Sequence, residues 1–400
     1  MNSKNLSSKP VAATLAFYSA FILLGLTTAV TGPTLPELAN HTASRIDQIS
    51  FIFVTGSLGY MAGSWLGGKA YDRLPGNRIL PFALIALALT AAYIPTASEL
   101  FFLTLGFLVL GFAQGVIDVG GNTLLIWHHG AGVSPFMNGL HFFFGVGALL
   151  SPIIVAQIFN NTGNIQWAYW LFGLIALPLA VWTWFLKNPS RHEKGAERTK
   201  AQLNFLVVGL VVLFFFLYVG AEIGYGNWIF TYATTLGLGS PVSAAYLTSA
   251  FWGFFTIGRL LGIPLAVRAA PIRILFFDLA GCLVALGLII IGSQSQAVLW
   301  IGTILLGLCM ASVFPTIMTL ADSKLHLSGE ITGWFLIGAG LGGMFLPWVI
   351  GQAFTSIGPT IMPILIFIDI LANLVILAVL AGRFIHLKST TTQVTQKNTP

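Results

Sequence analysis

The chain alternates between long apolar stretches and short polar ones from end to end. About twelve of the apolar stretches are long enough to cross a bilayer as helices, since ~20 residues at a rise of 1.5 Å match a hydrocarbon core of ~30 Å. The pattern therefore predicts an all-α membrane protein with twelve transmembrane helices. They lie near residues 11–32, 49–70, 79–97, 100–126, 135–159, 166–186, 203–229, 243–266, 272–292, 296–321, 331–356 and 360–382.

The first stretch follows Lys4 and Lys9, an arrangement that a cleaved signal peptide also has. The stretch is too long for a signal peptide, and no cleavage site of small residues follows it cleanly. We therefore interpret residues 11–32 as the first membrane helix.

Composition supports a membrane location for most of the chain. Hydrophobic residues make up 56% of the 400 residues and charged residues 8%, whereas a soluble domain carries roughly 25% charged residues. The net charge of +6 would indicate nucleic-acid binding only if the basic residues were gathered on one face with aromatic residues between them, and they are not. We therefore expect the lipid bilayer as a partner and no nucleic acid. Both cysteines, Cys282 and Cys309, fall in apolar stretches, so we expect no disulfide framework.

The positions of lysine and arginine predict the orientation of the helices, because cytoplasmic loops retain positive charge during insertion. With the N-terminus inside, only Arg45 of the 18 basic residues falls on the outside. An odd number of helices would scatter the basic residues over both faces. The sequence therefore predicts an even number of helices with both termini cytoplasmic.

The most polar internal stretch divides the predicted helices into six and six. We predict an N-terminal six-helix bundle over 1–186, a cytoplasmic linker over 187–202 and a C-terminal six-helix bundle over 203–383. The remaining residues, 384–400, are predicted to form a disordered cytoplasmic tail.

An internal repeat supports this division. "GVGALLSPIIVAQIF" at 145–159 and "GLGGMFLPWVIGQAF" at 340–354 share G-x-G, a proline, a glutamine and a phenylalanine at the same spacings, 195 residues apart. Because each copy has an even number of helices, both insert with the same polarity, and we predict two parallel repeats that rock about a site at their interface. The same offset superposes Arg78 on Arg273, Gly63 on Gly258 and Gly67 on Gly262.

The turn between the second and third helices, "GGKAYDRLPGNR", resembles the G-x-x-x-D-R-x-G-R signature of the major facilitator superfamily, with Pro75 as one extra residue. The resemblance predicts a cytoplasmic gate in which Asp72, Arg73 and Arg78 form ion pairs that hold one conformation. The alternative is an ordinary turn rich in basic residues.

The second repeat keeps part of this gate signature. Arg259 and Arg268 are present, but Val267 stands where the first repeat has Asp72. A gate at this position therefore needs another acidic residue, and Asp278 is the candidate.

Further stretches are similar to the sodium-dependent glucose transporters of that superfamily, which are related to the bacterial fucose, glucose and galactose permeases. The similarity extends from about residue 15 to 380 and implies a sugar symporter. The stretches that show it are "GPTLPEL", "SFIFVTGSLGYMAGSWLGG", "VIDVGGNTLLIW", "SPFMNGLHFFFGVGALLSP" and "YVGAEIGYGNWIFTYA".

Polar residues on the fourth helix form a candidate cation site. Gln114, Asp118 and Asn122 recur four residues apart and so share one helix face. A carboxylate beside two amide oxygens can bind a small hard cation such as sodium, or a proton alone; the alternative is a structural partner for the cytoplasmic arginines. In the related fucose permeases an acid occupies the position of Asp118 and a first-helix aspartate also takes part. The first helix here has no acid, which favours sodium over a proton.

Polar and aromatic residues of the seventh and eighth helices form a candidate sugar site. A sugar presents hydroxyl groups that need hydrogen-bond partners and an apolar ring face that packs on an aromatic ring. Glu222, Asn227, Trp228 and Trp252 match these needs, and contacts between helices are the alternative role.

The fifth helix and the last helix contain further polar residues. Asn138 and His141 share a face with Gly145, and we assign them with Asn122 to the substrate site; His141 as a proton carrier is an alternative. The repeated glutamines, Gln157 and Gln352, are interpreted as structural, and Asp369 has no assigned role.

The sequence contains no nucleotide-binding loop, no H-E-x-x-H or paired-cysteine metal spacing and no nucleophile elbow. We therefore expect no enzyme and no cofactor, but a monomeric transporter of the plasma membrane driven by an ion gradient. The leading hypothesis is cation-coupled uptake of a monosaccharide by alternating access. A proton-driven exporter of amphipathic compounds and a receptor or scaffold without transport are the alternatives.

Overall fold

The computed structural model describes residues 8–189, 205–325 and 329–397, and its long elements are all α-helices. The first half contains α1 (Ser8–Ala29), α2 (Thr31–His41), α3 (Ile46–Ile49), α4 (Phe51–Tyr71), α5 (Gly76–Tyr93), α6 (Leu100–His129), α7 (Ser134–Thr162) and α8 (Gln166–Trp184). The second half contains α9 (Phe205–Thr235), α10 (Pro241–Arg268), α11 (Pro271–Ile291), α12 (Gln296–Met310), α13 (Val313–Leu325), α14 (Gly329–Ser356) and α15 (Ile361–Lys397).

Twelve helical segments of the described chain are long and apolar enough to cross a membrane, which confirms the predicted number. The tenth segment is interrupted, because α12 ends at Met310 and α13 begins at Val313. A short helix that the apolar pattern did not predict, α2, connects the first segment to the second, and the second begins with the short helix α3.

The helices form two bundles, since α1 to α8 pack mainly on one another and α9 to α15 do the same. The second glycine of each repeated G-x-G lies inside its own bundle. A Cβ atom at Gly147 would collide with the backbone of Ile22 in α1, and one at Gly342 would collide with the backbone of Phe216 in α9. These glycines therefore let two helices of one bundle approach closely, as small residues do in membrane proteins.

The first glycine of each G-x-G lies against the other bundle. A Cβ atom at Gly145 would collide with the side chain of Thr256 on α10, and one at Gly340 would lie 3.0 Å from Cγ of Met61 on α4. Thr256 and Met61 are themselves 195 residues apart. The repeated motif therefore packs each bundle internally and also brings the two bundles together in a symmetric way.

The repeated glutamines join the bundles near one end. Nε2 of Gln157 donates to the hydroxyl of Tyr246 on α10. Nε2 of Gln352 donates to the carbonyl oxygen of Asp47, at 2.7 Å, and to Oγ of Ser50, at 3.1 Å. We call this end the opposite face, and the end that carries Arg73, Arg78, Arg268 and Arg273 the basic face. All hydrogen bonds between the bundles in the described chain lie near the opposite face.

The space between the bundles opens toward the basic face. On that side of Gly145, the side chains of Asn138 and His141 on α7 are exposed. On the other side, the ring of Trp228 on α9 is fully buried and lies 5.9 Å from the ring of Phe53 on α4. The bundles are therefore closed at the opposite face and separated at the basic face.

Two predicted segments, the linker and the tail, lie partly outside the described residues. The predicted linker over 187–202 is described only as far as residue 189. The sequence predicts a disordered tail from residue 384, whereas the last helix continues in the structure as far as Lys397.

Candidate functional site

The predicted cation site lies along a partly exposed stripe of α6. Asp118 accepts a hydrogen bond through Oδ2 from the hydroxyl of Tyr60 on α4, and through Oδ1 from Nδ2 of Asn122 at 3.0 Å. Gln114, one turn away, donates to Oγ1 of Thr27 on α1 at 3.1 Å. The three residues do share one face, and the stripe connects α6 to both α1 and α4.

Glycines of α6 bring Tyr60 within reach of Asp118. A Cβ atom at Gly115 would collide with the carbonyl oxygen of Tyr60, and one at Gly111 would collide with that of Gly56. The two helices therefore touch through their backbones over this stretch. The backbone of Tyr60 is part of this contact, and its hydroxyl donates to the carboxylate of Asp118.

The alternative interpretation of Asp118, as a partner of the cytoplasmic arginines, is wrong for this conformation. Both of its hydrogen bonds come from neutral groups, Tyr60 and Asn122. Among the described residues the one ion pair is between Arg45 and Asp47, at the opposite face. Asp118 is thus a largely buried carboxylate that no basic side chain of the described residues neutralises.

The predicted sugar site on α9 contains a buried acid between two tyrosines. Glu222 is 9% exposed. The hydroxyl of Tyr218 donates to the carbonyl oxygen of Met310 at 2.5 Å, and the hydroxyl of Tyr225 lies 2.6 Å from Oγ1 of Thr303. The tyrosines therefore fix α9 against α12, and they hold Glu222 at the level of the interruption between α12 and α13.

Two residues predicted for the sugar site lie in contacts between helices instead. The N–H group of Trp228 donates to the carbonyl oxygen of Pro347 at 2.9 Å, and its ring is fully buried. Asn227 is 8% exposed and donates to the carbonyl oxygen of Ile223 on its own helix. Neither side chain is open to the space between the bundles in this conformation, because both lie where the opposite face is closed.

Arg259, which the sequence predicts for the cytoplasmic gate, lies on α10 nine residues before Arg268 and forms no ion pair among the described residues. Its guanidinium lies 4.5 Å from the ring centroid of Phe255 and interacts electrostatically with Glu222 of α9 and His141 of α7. His141 also touches the ring of Phe21 on α1, at 5.9 Å between centroids. Arg259 and His141 therefore face each other across the space between the bundles.

The other predicted gate residues are exposed at the basic face and form no ion pair within the described chain. Asp72 and Arg73 follow the end of α4, and Arg268 ends α10. Arg78 lies 5.6 Å from the ring of Trp184, while Asp278 accepts a hydrogen bond from Ser312 rather than from an arginine. Ion pairs of a gate would form when the bundles meet at the basic face. In this conformation the bundles are separated there.

The sequence profile of the Major Facilitator Superfamily matches residues 17–347. The chain belongs to this superfamily. It is 33% identical over 374 residues to sodium-dependent glucose transporter 1A of Mus musculus, with 84% of this chain and 88% of that protein covered. It is 31% identical over 371 residues to sodium-dependent glucose transporter 1 of Homo sapiens, with 83% of this chain and 72% of that protein covered.

A solved structure shows the same superfamily fold. The chain superposes on a D-xylose-proton symporter with a TM-score of 0.73, at 14% identity, covering 92% of this chain and 97% of that one. The family profile and the two relatives confirm the predicted resemblance to the major facilitator superfamily, and the solved structure agrees with its fold. The protein is a multi-pass integral membrane transporter, not an enzyme.

Sequence reasoning about this superfamily member missed two site residues. Tyr60 lies 58 positions before Asp118, and no spacing in the sequence links them. Thr27, the partner of Gln114, is likewise distant in sequence. Both lie on transmembrane helices whose apolar pattern predicts a span but not which neighbour each side chain meets.

Proposed function

We propose that this protein takes up a monosaccharide, such as glucose or a related hexose, across the plasma membrane together with a cation. Sodium is the cation that we favour over a proton. The names of the two curated relatives, at 31% and 33% identity over most of the chain, support both parts of the proposal.

The observation that carries the proposal is the environment of Asp118. Its carboxylate has only neutral partners, Tyr60 and Asn122, and it is partly exposed. A charge in this location is costly, by about 2.5–3.5 kcal/mol even on lenient insertion scales, unless a counter-ion joins it. A transported sodium ion, which prefers oxygen ligands, would supply that counter-ion.

The electrical gradient is large enough for such coupling. One cation that enters with its substrate gains ~2.3 kcal/mol per 100 mV. At ~1.4 kcal/mol for each factor of ten, that free energy supports about fifty-fold accumulation of sugar. One bound cation is therefore sufficient before any chemical gradient of the ion is counted.

The conformation fits one end of an alternating-access cycle. With the basic face in the cytoplasm, as the distribution of lysine and arginine predicts, the cleft between the bundles is open inward and closed outward. Cation and sugar would leave by this route, and separation of the bundles at the opposite face would open the site to the outside.

Uptake by proteoliposomes tests the proposal. We expect sodium-dependent accumulation of labelled glucose or a related hexose, and at least a tenfold loss of sodium-driven uptake in Asp118→Asn. Glu99→Gln, an exposed acid next to the start of the same helix, is the matched control and should leave uptake unchanged. Absence of any sodium- or proton-dependent hexose uptake would reject the proposal. Proton-driven efflux of amphipathic compounds by the same vesicles would favour the exporter.

A further inference from the structure

Helix α10 contains three buried hydrogen-bond donors without a partner among the described residues: the hydroxyl of Ser249 and one nitrogen donor each of Trp252 and Arg259. Nε1 of Trp252 and Nε of Arg259 are both enclosed, and neither has a hydrogen-bond partner among the described residues. The Trp252 side chain is 3% exposed. Buried donors in native proteins nearly always have a partner, so several on one helix need an explanation. Trp252 and Arg259 are the two whose donors are nitrogen atoms.

The two donors lie on the same face of α10. They are seven residues apart, which is close to two helical turns and ~10 Å along the axis. Trp252 lies against α9, where a Cβ atom at Gly226 would come within 2.7 Å of its ring. Thr256, which lies between the two donors on the helix, packs against Gly145 of α7 in the other bundle. The shared face therefore borders the space between the bundles.

The surroundings of each donor leave its N–H group as the part that a ligand would use. The ring of Trp252 is already in edge contact with Phe251 and Phe255, at 5.1 Å and 5.7 Å between centroids. The guanidinium of Arg259 packs on Phe255, 4.5 Å from the ring centroid. Trp252 is therefore less suited to be a flat support for a sugar ring than to be a hydrogen-bond donor.

We propose that Trp252 and Arg259 are specificity-determining residues that donate hydrogen bonds to two oxygen atoms of the transported substrate. This inference rests on the proposed function. It adds which protein groups recognise the sugar, and that they recognise its oxygen atoms as hydrogen-bond acceptors. Indole and guanidinium nitrogens donate and do not accept, so the substrate must present acceptor oxygens at two places.

The contact belongs to an occluded conformation, because both N–H groups are enclosed when the cleft is open to the basic face. Helix α9 can admit the substrate by bending. Gly220, Gly224 and Gly226 lie on the stretch of α9 beside Trp252 and Glu222, and glycines weaken a helix there. Bending would move α9 away from the indole of Trp252. Substrate oxygens could then enter and accept hydrogen bonds from the two donors.

The experiment measures equilibrium binding of a sugar panel to the purified full-length protein in sodium. The panel contains glucose, each monodeoxy-glucose, each mono-O-methyl-glucose and glucuronate. Trp252→Phe keeps an aromatic ring without the N–H group, and Arg259→Lys keeps the positive charge without Nε–H. Trp182→Phe and Arg383→Gln, both exposed and remote from the cleft, are the matched controls. Thermal unfolding without ligand shows whether each variant folds.

We expect each variant to bind glucose about tenfold more weakly than the wild type. Removing one particular hydroxyl of glucose should weaken binding to the wild type about tenfold but should not weaken binding to Trp252→Phe any further. Removing a different hydroxyl should have the same pair of effects on the wild type and on Arg259→Lys. O-methyl sugars at those positions keep the acceptor, so they should bind better than the deoxy sugars. Tighter binding of glucuronate than of glucose would identify the oxygen at Arg259 as a carboxylate, and the reverse would identify a neutral oxygen; both agree with the inference.

Deoxy penalties that persist unchanged in both variants would overturn the inference while leaving the proposed function intact. A wild-type protein that binds no sugar of the panel would instead overturn the proposed function, and this inference with it. Folded variants with wild-type affinity would show that the two donors are structural.

Discussion

Asp118 shows how a single residue acquires its surroundings from distant parts of the chain. Its two hydrogen bonds come from Asn122, one turn away on α6, and from Tyr60 on α4. The first partner follows from helical spacing alone. The second exists because glycines of α6 let α4 approach until the hydroxyl reaches the carboxylate. The carboxylate is thus held in one orientation by donors from two helices.

Replacing Tyr60 by Phe removes this hydroxyl and keeps the ring. A hydrogen bond to a charged group contributes about 1.5–3 kcal/mol, and its loss frees the Asp118 side chain to leave the stripe. We therefore expect the sodium concentration for half-maximal uptake to rise by about tenfold or more, while the folded fraction stays unchanged. Tyr93→Phe, at the exposed end of α5, is the control. An unchanged sodium dependence in Tyr60→Phe would show that the tyrosine does not position the cation site.

At the scale of helices, the G-x-G motif explains why one pattern is present twice. In each copy one glycine packs inside a bundle and the other packs across to the second bundle. The contacts inside the bundles require a residue without a side chain, since a Cβ atom there would collide with backbone, whereas the contacts between the bundles meet side chains. The motif is present twice because α7 and α14 occupy equivalent positions in the two repeats and pack against equivalent neighbours.

Adjacent glycines of α14 provide a matched pair for this conclusion. A Cβ atom at Gly342 would overlap the backbone of Phe216, whereas one at Gly343 would lie 3.6 Å from Val219, an ordinary contact. We expect Gly342→Ala to lower the free energy of unfolding by about 1–3 kcal/mol or more, as overpacked sites do, and Gly343→Ala to change it little. Thermal unfolding of the detergent-purified variants measures this difference. Equal stability of the two variants would contradict the packing argument.

At the scale of the whole molecule, two symmetry-related glutamines connect the bundles. Gln157 reaches Tyr246 on α10, and Gln352 reaches Asp47 and Ser50 beside α3 and α4. The sequence interpretation of both glutamines as structural agrees with these contacts. Their position at the closed face adds that they stabilise one conformation of the transporter relative to the other.

Replacing both glutamines by Ala should shift the molecule toward opening at the opposite face. The double variant loses three hydrogen bonds. Each contributes about 0.5–1.5 kcal/mol, so we expect the ratio of conformations to change by roughly tenfold or more. Spin labels at positions 161 and 235, on α7 and α9 at that face, report the distance between the bundles. Gln166→Ala, whose hydrogen bond stays within one bundle, should leave the distance distribution unchanged. A distribution in the double variant that equals the wild-type one would contradict this role.

Much of the fold followed from the chain itself. The number of membrane segments, the duplication at 195 residues and the superfamily signature near Asp72 all depend on local pattern and spacing. They are local because a helix in lipid must satisfy its own backbone hydrogen bonds and expose an apolar surface, whatever its neighbours are. The shared face of Gln114, Asp118 and Asn122 also follows from local spacing, because these residues are four positions apart on one helix.

The contacts between helices were decided only by the tertiary structure. Sequence reasoning placed Trp228 in the sugar site, whereas its ring is fully buried and its N–H group donates to the carbonyl oxygen of Pro347. A nearly uniform apolar pattern says that a residue is in the membrane, but it does not say whether lipid, a helix of the same bundle or the other bundle lies beside it. That choice depends on the close approach of particular helices and on which face of the protein is open.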